Sequence, residues 1–183
     1  MPSIDMVIVV DTSYSTSENL PGFGRKIDAI RDAVLVTARR FLEVGNNRLG
    51  LVVFYGRAYP ILPLVNDLEK ALEVIKGIRV LGEASAPGDG LIEAVKLLRR
   101  ARLTAKKKVL IITDGGFNEG IPLDLAAIYA KNMSVVVNVV TLGVIDVNDE
   151  EVIKKTIALT NGIWLHANTK QELLSHAIKA SID

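Results

Sequence analysis

The sequence predicts an α/β fold: a doubly wound, mostly parallel central sheet of about six strands, with one antiparallel edge strand and helices on both faces. Three observations carry this. Short β-branched apolar runs alternate with amphipathic stretches of helical length, which demands crossover connections and therefore parallel pairing. Two consecutive runs, at Arg48–Tyr55 and Tyr59–Val65, are separated only by Gly56, Arg57 and Ala58, the spacing of an antiparallel hairpin. Pro60 and Pro63 lie in the second of them, and proline cannot donate to a ladder, so that strand belongs at an edge.

The elements follow in order. Ile4–Val10 is almost continuously apolar and reads as a buried strand. Asp11–Gly24 is rich in Ser, Thr, Asn, Gly and Pro and reads as a loop. Ile27, Ile30, Val34, Ala38 and Phe41 recur at steps of three and four, marking one face of a long helix that stops near Gly45. After the hairpin, Leu68, Ala71, Leu72 and Ile75 give a short helix, and a loop from Gly82 to Pro87 leads into a helix through Leu91, Ala94, Val95 and Leu98. Lys108–Thr113 is a further buried strand closed by Asp114-Gly115-Gly116. Pro122–Lys131 suits a helix with proline in its first turn, and Val135–Leu142 a strand. Asn148 and Asp149 are placed to cap a helix carrying Ile153, Thr156 and Ile157 and ending at Gly162. Ile163–His166 is a last short strand, and Leu174, Ala177, Ile178 and Ser181 belong to a closing helix. With no repeat, low-complexity stretch or linker, residues 1–183 read as one domain.

Composition narrows the function. Hydrophobic residues make up 49% and the formal net charge is +1, which predicts a packed core and neither a nucleic-acid footprint nor an acidic tail. The chain has no cysteine, so disulfides, thiolate metal sites and cysteine nucleophiles are excluded. No segment approaches the roughly 18 unbroken apolar residues of a membrane span, and Asp5 and Asp11 bracket an apolar run too short for a signal peptide. The expected location is cytoplasmic.

In open α/β sheets, ligands bind outside the carboxyl ends of the strands. Three loops qualify: Asp11-Thr12-Ser13-Tyr14-Ser15, Thr113-Asp114-Gly115, and Ser85-Ala86-Pro87-Gly88-Asp89-Gly90 before a helix. Apart from Asp89 at the start of the helix, they offer two carboxylates and several hydroxyls, with no thiol and no histidine. Such hard oxygen donors suit magnesium or manganese, with calcium also compatible, rather than zinc or copper. Alternate residues of an extended stretch point the same way, so Asp11, Ser13 and Ser15 are expected to converge. Asp89 reads as a helix-terminal carboxylate and Thr113 as a strand end. His166 and His176 lack partners at metal-ligand spacing. Trp164 reads as core, and Tyr14, inside the loop, as a residue facing a partner. Arg99–Lys108 holds six basic residues in ten and reads as a solvated helix end running into a strand.

Asp11-x-Ser13-x-Ser15 directly after a buried strand resembles the metal-ion-dependent adhesion site of von Willebrand factor A domains. Asp114-Gly115 after Val-Leu-Ile-Ile-Thr resembles the second acidic element of that family, and Ser85 stands where the family expects a threonine. The order of strands and helices, hairpin included, matches over nearly the whole chain. The resemblance implies a metal held by Asp11, Ser13, Ser15, Ser85 and Asp114, with one coordination position left for an Asp or Glu of a protein partner. It also implies a non-enzymatic adaptor in a multi-protein assembly, in some members together with ATPases of the AAA+ class.

The competing reading is a metal-dependent phosphotransferase or phosphohydrolase using Asp11 as nucleophile. Against it, Ser13 stands where such enzymes place a second Asp, and the sequence puts no lysine near Asp114 to balance phosphate charge. No glycine-rich dinucleotide or nucleotide-phosphate loop is present.

Overall fold

The computed structural model describes residues 2–183. A six-stranded sheet runs in the order β5-β4-β1-β6-β7-β8, where β1 is Ile4–Asp11, β4 Arg48–Phe54, β5 Ala58–Val65, β6 Lys106–Thr113, β7 Val135–Leu142 and β8 Trp164–Ala167. Every pairing is parallel except β4 with β5, and β5 occupies an edge, as its prolines require. The register of that hairpin shifts on either side of Leu51, the irregularity expected where prolines interrupt a ladder. The loop after β1 contains a two-stranded ribbon not anticipated from sequence, β2 (Asn19–Leu20) with β3 (Gly24–Arg25).

β1 is buried from Asp5 onward, and its alternate side chains divide the core. Met6, Ile8 and Val10 face a cluster with Ile27, Ile30 and Val34 of α1 (Lys26–Glu43), Ala71 and Ile75 of α2 (Leu68–Lys76), and Leu173 and Ala177 of α6 (Lys170–Ile182). Val7 and Val9 face the opposite cluster with α3 (Pro87–Leu98), α4 (Leu123–Asn132) and α5 (Val147–Thr160). The period-two alternation of one central strand thus serves two helical layers.

Helix boundaries follow local chemistry. Asp67 and Thr169 cap α2 and α6 by accepting from Lys70 N and Glu172 N. The cap of α5 is Asp146, which accepts from Asp149 N at 2.8 Å, and not Asn148 or Asp149 as expected. Asp149 is free for another task because Asp146 already satisfies the first turn. Pro122 lies one residue before α4, whereas Pro87 takes the first position of α3. Trp164 is half-buried rather than core: it packs at the sheet edge and donates from Nε1 to Thr141 Oγ1 at 2.9 Å, which satisfies an indole N–H that a dry core would strand. His166 Nδ1 lies 2.9 Å from the same hydroxyl, a structural role.

The basic stretch divides. Arg99 and Arg100 are exposed, but Arg102 joins Arg48 on the buried carboxylate of Asp5, and Lys108 is buried with Nζ donating to Ser181 O. Among the described residues, no helix is long and apolar enough to cross a membrane.

Candidate metal centre

The chain leaves β1 for β4 on one side and later reaches β6 on the other, so strand order reverses at β1 and its loop opens at the topological switch point. Extended backbone continues from Asp11 through Ser13 (φ −68°, ψ 161°), and a 3-10 turn over Tyr14–Ser17 follows. Alternation in an extended strand therefore aligns Asp11 with Ser13, while Ser15 is delivered by the turn, which is where the sequence argument was incomplete.

Four of the five expected ligands lie in one chain of close polar contacts. Ser13 donates to Asp11 Oδ1 from both N (3.0 Å) and Oγ (2.6 Å). Ser13 Oγ lies 3.1 Å from Ser15 Oγ, and Ser15 Oγ donates to Asp114 Oδ1 at 3.0 Å. Asp11 ends β1 and Asp114 directly follows β6, and the pairing of these adjacent strands brings the two carboxylates together from distant parts of the sequence. Ser85 is not part of the chain. It is buried and rigidly held, with N donating to Asn118 Oδ1 at 2.9 Å and O accepting from Asn118 N and Glu119 N. Its loop is fastened beside Ser13 by a parallel bridge between Ser13 and Gly82.

The Ser85 hydroxyl is buried without a hydrogen-bond partner; among the described residues only Thr37 Oγ1, within α1, shares that condition. Burying an unpaired hydroxyl costs about 1–3 kcal/mol, so such an atom calls for a ligand or a water. Asp11 is fully buried, and burial together with the charge of Asp114 pushes its carboxyl up to about 7. Two carboxylates at one buried point, with an orphan hydroxyl in the loop bridged to Ser13, form a donor set that a hard dication fits. Among the described residues no three of His, Asp and Glu converge, so a cation here rests on two carboxylates and hydroxyls.

Two residues were missed by sequence reasoning. Thr113 is more than a strand end: its Oγ1 donates to Asp11 Oδ2 at 2.6 Å and accepts from Gly115 N at 3.1 Å. Lys26, the first residue of α1, places Nζ 3.1 Å from Asp114 Oδ2 and 3.3 Å from Glu18 Oε2. Burial alone would lower the Lys26 amine, but Asp114 and Glu18 more than offset it and hold the amine above its ordinary value. The expectation that no lysine stands beside Asp114 is therefore corrected; 88 residues separate the pair, and only the packing of α1 reveals it. Periodicity offered no signal, since Lys26 falls at a helix start where a polar residue is unremarkable.

The rim is built from turns. Gly115 and Gly116 both have positive φ (85° and 73°), which side-chain-bearing residues rarely adopt. The buried Asp149 carboxylate fixes this turn by accepting from Gly116 N at 2.7 Å, and burial raises its pKa. Asp89 does not cap its own helix; it accepts from Ile121 N at 3.0 Å and ties α3 to the loop after Asp114. Gly88 lets that loop approach, because a Cβ there would overlap Ile121 O. A cavity of about 430 Å³ lies alongside, lined by residues including Pro87, Phe117, Ile121 and Val152. Tyr14 is 56% exposed on the other rim.

Because Thr113 holds one oxygen of Asp11, Thr113→Val is expected to weaken magnesium binding by about 10–100-fold with little change in fold. Titration calorimetry reads this directly, and wild-type affinity in the variant would show that Thr113 does not orient the carboxylate.

The fold has counterparts among solved structures. In fold, the chain is similar to an aerotolerance-related membrane protein from Bacteroides fragilis (17% identity, 98% of each chain covered, TM-score 0.79). It is likewise similar to a von Willebrand factor type A protein from Catenulispora acidiphila (17% identity, 98% of this chain and 42% of that one, TM-score 0.83). A third similar structure is the SpRpn10 VWA domain (16% identity, 96% and 93% covered, TM-score 0.76). A sequence search among curated proteins finds no match. The family model for the von Willebrand factor type A domain matches residues 6–117, from the first strand through the loop that carries Asp114, and the chain belongs to that family.

Proposed function

We propose that the chain, read as one domain over residues 1–183, is a metal-dependent protein-interaction module. Asp11, Ser13, Ser15, Ser85 and Asp114 would hold one divalent cation, magnesium or manganese before calcium, directly or through water. The observation that carries the reading is the buried orphan hydroxyl of Ser85, in a loop bridged to Ser13, together with a chain of close polar contacts through two carboxylates and two serines. Members of this family are generally protein-interaction modules. A cation so held retains positive character, which attracts an anionic side chain in a partly desolvated interface. The partner is therefore a protein presenting Asp or Glu, and Tyr14 at the rim supplies an exposed aromatic contact. An adaptor role in a multi-protein assembly, including one built around an AAA+ ATPase, follows from the family resemblance.

The phosphotransferase reading gains a phosphate-balancing lysine in Lys26 but loses its nucleophile. Asp11 is fully buried, and both its oxygens accept hydrogen bonds from Ser13 and Thr113, which leaves it badly placed for in-line attack.

Calorimetric titration of magnesium into chelator-treated protein is expected to give about one site. A captured partner should bind in magnesium or manganese and be released by chelator, and exchange of its acidic residue for the amide should abolish binding. Equal partner affinity with and without metal would sink the proposal.

A further inference from the structure

We infer that Lys26 is a resident counter-ion of the metal centre that sets its affinity: it balances Asp114 through one carboxylate oxygen and so weakens the hold on a dication at the other. The inference rests on the metal reading above.

The two oxygens of Asp114 have different partners. Oδ1 accepts from Ser15 Oγ and faces the chain of hydroxyls that leads to Asp11. Oδ2 accepts from Lys26 Nζ, and the lysine is steadied by Glu18 on its outer side. The Lys26 side chain is 11% exposed and that of Asp114 2%, so solvent screens this pair poorly. The amine is anchored from behind as well, since Lys26 opens α1 with its backbone N donating to Glu18 O at 3.0 Å. A cation on Oδ1 would therefore share one carboxylate with a fixed ammonium.

Lys26 exerts two opposed effects on that cation. It orients Asp114 so that Oδ1 faces the hydroxyls, which favours binding. Its charge repels a dication at close range in a poorly screened site, which opposes binding. Orientation has a second support, the Ser15 hydroxyl on Oδ1, whereas the repulsion is offset only by Glu18, whose side chain is 67% exposed and therefore well screened by solvent. Repulsion therefore wins, and removing the charge tightens the centre. The same charge keeps the two buried acids tolerable when no metal is bound, so its loss makes folding depend on metal.

The test uses magnesium and manganese alone, titrated into chelator-treated wild type, Lys26→Met, Lys26→Gln and Lys26→Arg. The Gln variant keeps a donor to Oδ2 and guards against misfolding of the Met variant; the Arg variant keeps the charge. Both uncharged variants are expected to bind at least about tenfold more tightly than wild type, because one unit of close, poorly screened charge is gone. Lys26→Arg should resemble wild type. In thermal melts with chelator, the uncharged variants should unfold at lower temperature and recover on adding magnesium, a metal-dependent gap larger than that of wild type. Binding by the uncharged variants that is equal to or weaker than wild type overturns the inference while leaving the metal site standing. Absence of binding in wild type and variants alike overturns the metal reading and this inference together.

Discussion

Asp11→Asn protein is expected to keep its fold and lose magnesium binding by about a hundredfold or more. The magnitude follows from charge. Two unit charges about 4 Å apart interact by about 4 kcal/mol at an effective dielectric near 20, and a dication doubles that. Desolvation of the ion cancels much of the gain, but a residue of about 2.8 kcal/mol already amounts to a hundredfold. The fold should survive because asparagine has the same shape. Its carbonyl can accept from Ser13 N and Oγ as Asp11 Oδ1 does, and its amide can donate to the Thr113 hydroxyl once that hydroxyl turns. Removing the charge also relieves the repulsion from Asp114 that, after burial, pushes the Asp11 carboxyl up. Melting in chelator should therefore occur at or above the wild-type temperature. Magnesium affinity equal to wild type would show that the cation is held elsewhere, and collapse of the fold would show Asp11 to be structural.

Some of this centre was legible in the sequence and some was not, for a physical reason. Ile4–Val10 and Lys108–Thr113 are buried on both faces, so apolar runs mark them, and the polar residues that end them mark the site. Asp11, Ser13 and Asp114 were readable as strand-end residues on that basis. Ser15 was readable only by its proximity in sequence, since a 3-10 turn and not a strand presents it. Ser85 lies in the expected loop, yet its hydroxyl joins no hydrogen bond to the other four. Lys26, Thr113 and Asp149 act through partners 88, 102 and 33 residues away, and periodicity carries no information about contacts of that range. Asp146 rather than Asp149 caps α5 because two acidic residues three apart compete for one role, and only the turn decides between them. The same blindness covers Asp5, which in sequence is merely the polar residue before an apolar run.

Asp5→Asn is expected to destabilise the protein by about 3 kcal/mol, the lower part of the range for breaking a buried pair, because the arginines keep some solvent. Asp5 is fully buried at the end of β1 opposite the candidate metal centre. Its Oδ2 accepts from Arg48 Nη2 at 2.6 Å and Arg102 N at 2.8 Å, and its Oδ1 from Arg102 Nη2 at 2.6 Å. One carboxylate thereby fastens β1 to β4 and to the turn that enters β6. Asparagine offers a single acceptor oxygen and turns an amide toward guanidinium donors, which leaves charge unpaired. The pH dependence distinguishes this from a packing defect. Burial raises the Asp5 carboxyl, but the hydrogen bonds from Arg48 and then Arg102 outweigh it and hold its pKa below 3.8. A carboxyl whose folded pKa is depressed contributes stability that is present above the unfolded value near 4 and is lost as pH falls through the folded value. Chemical denaturation of wild type and Asp5→Asn from pH 7 to pH 3 should therefore show a constant gap down to about pH 4, narrowing below it as the wild-type carboxylate protonates. A gap under about 1 kcal/mol at pH 7, or one that stays constant through pH 3, would mean that the clamp contributes shape and not charge.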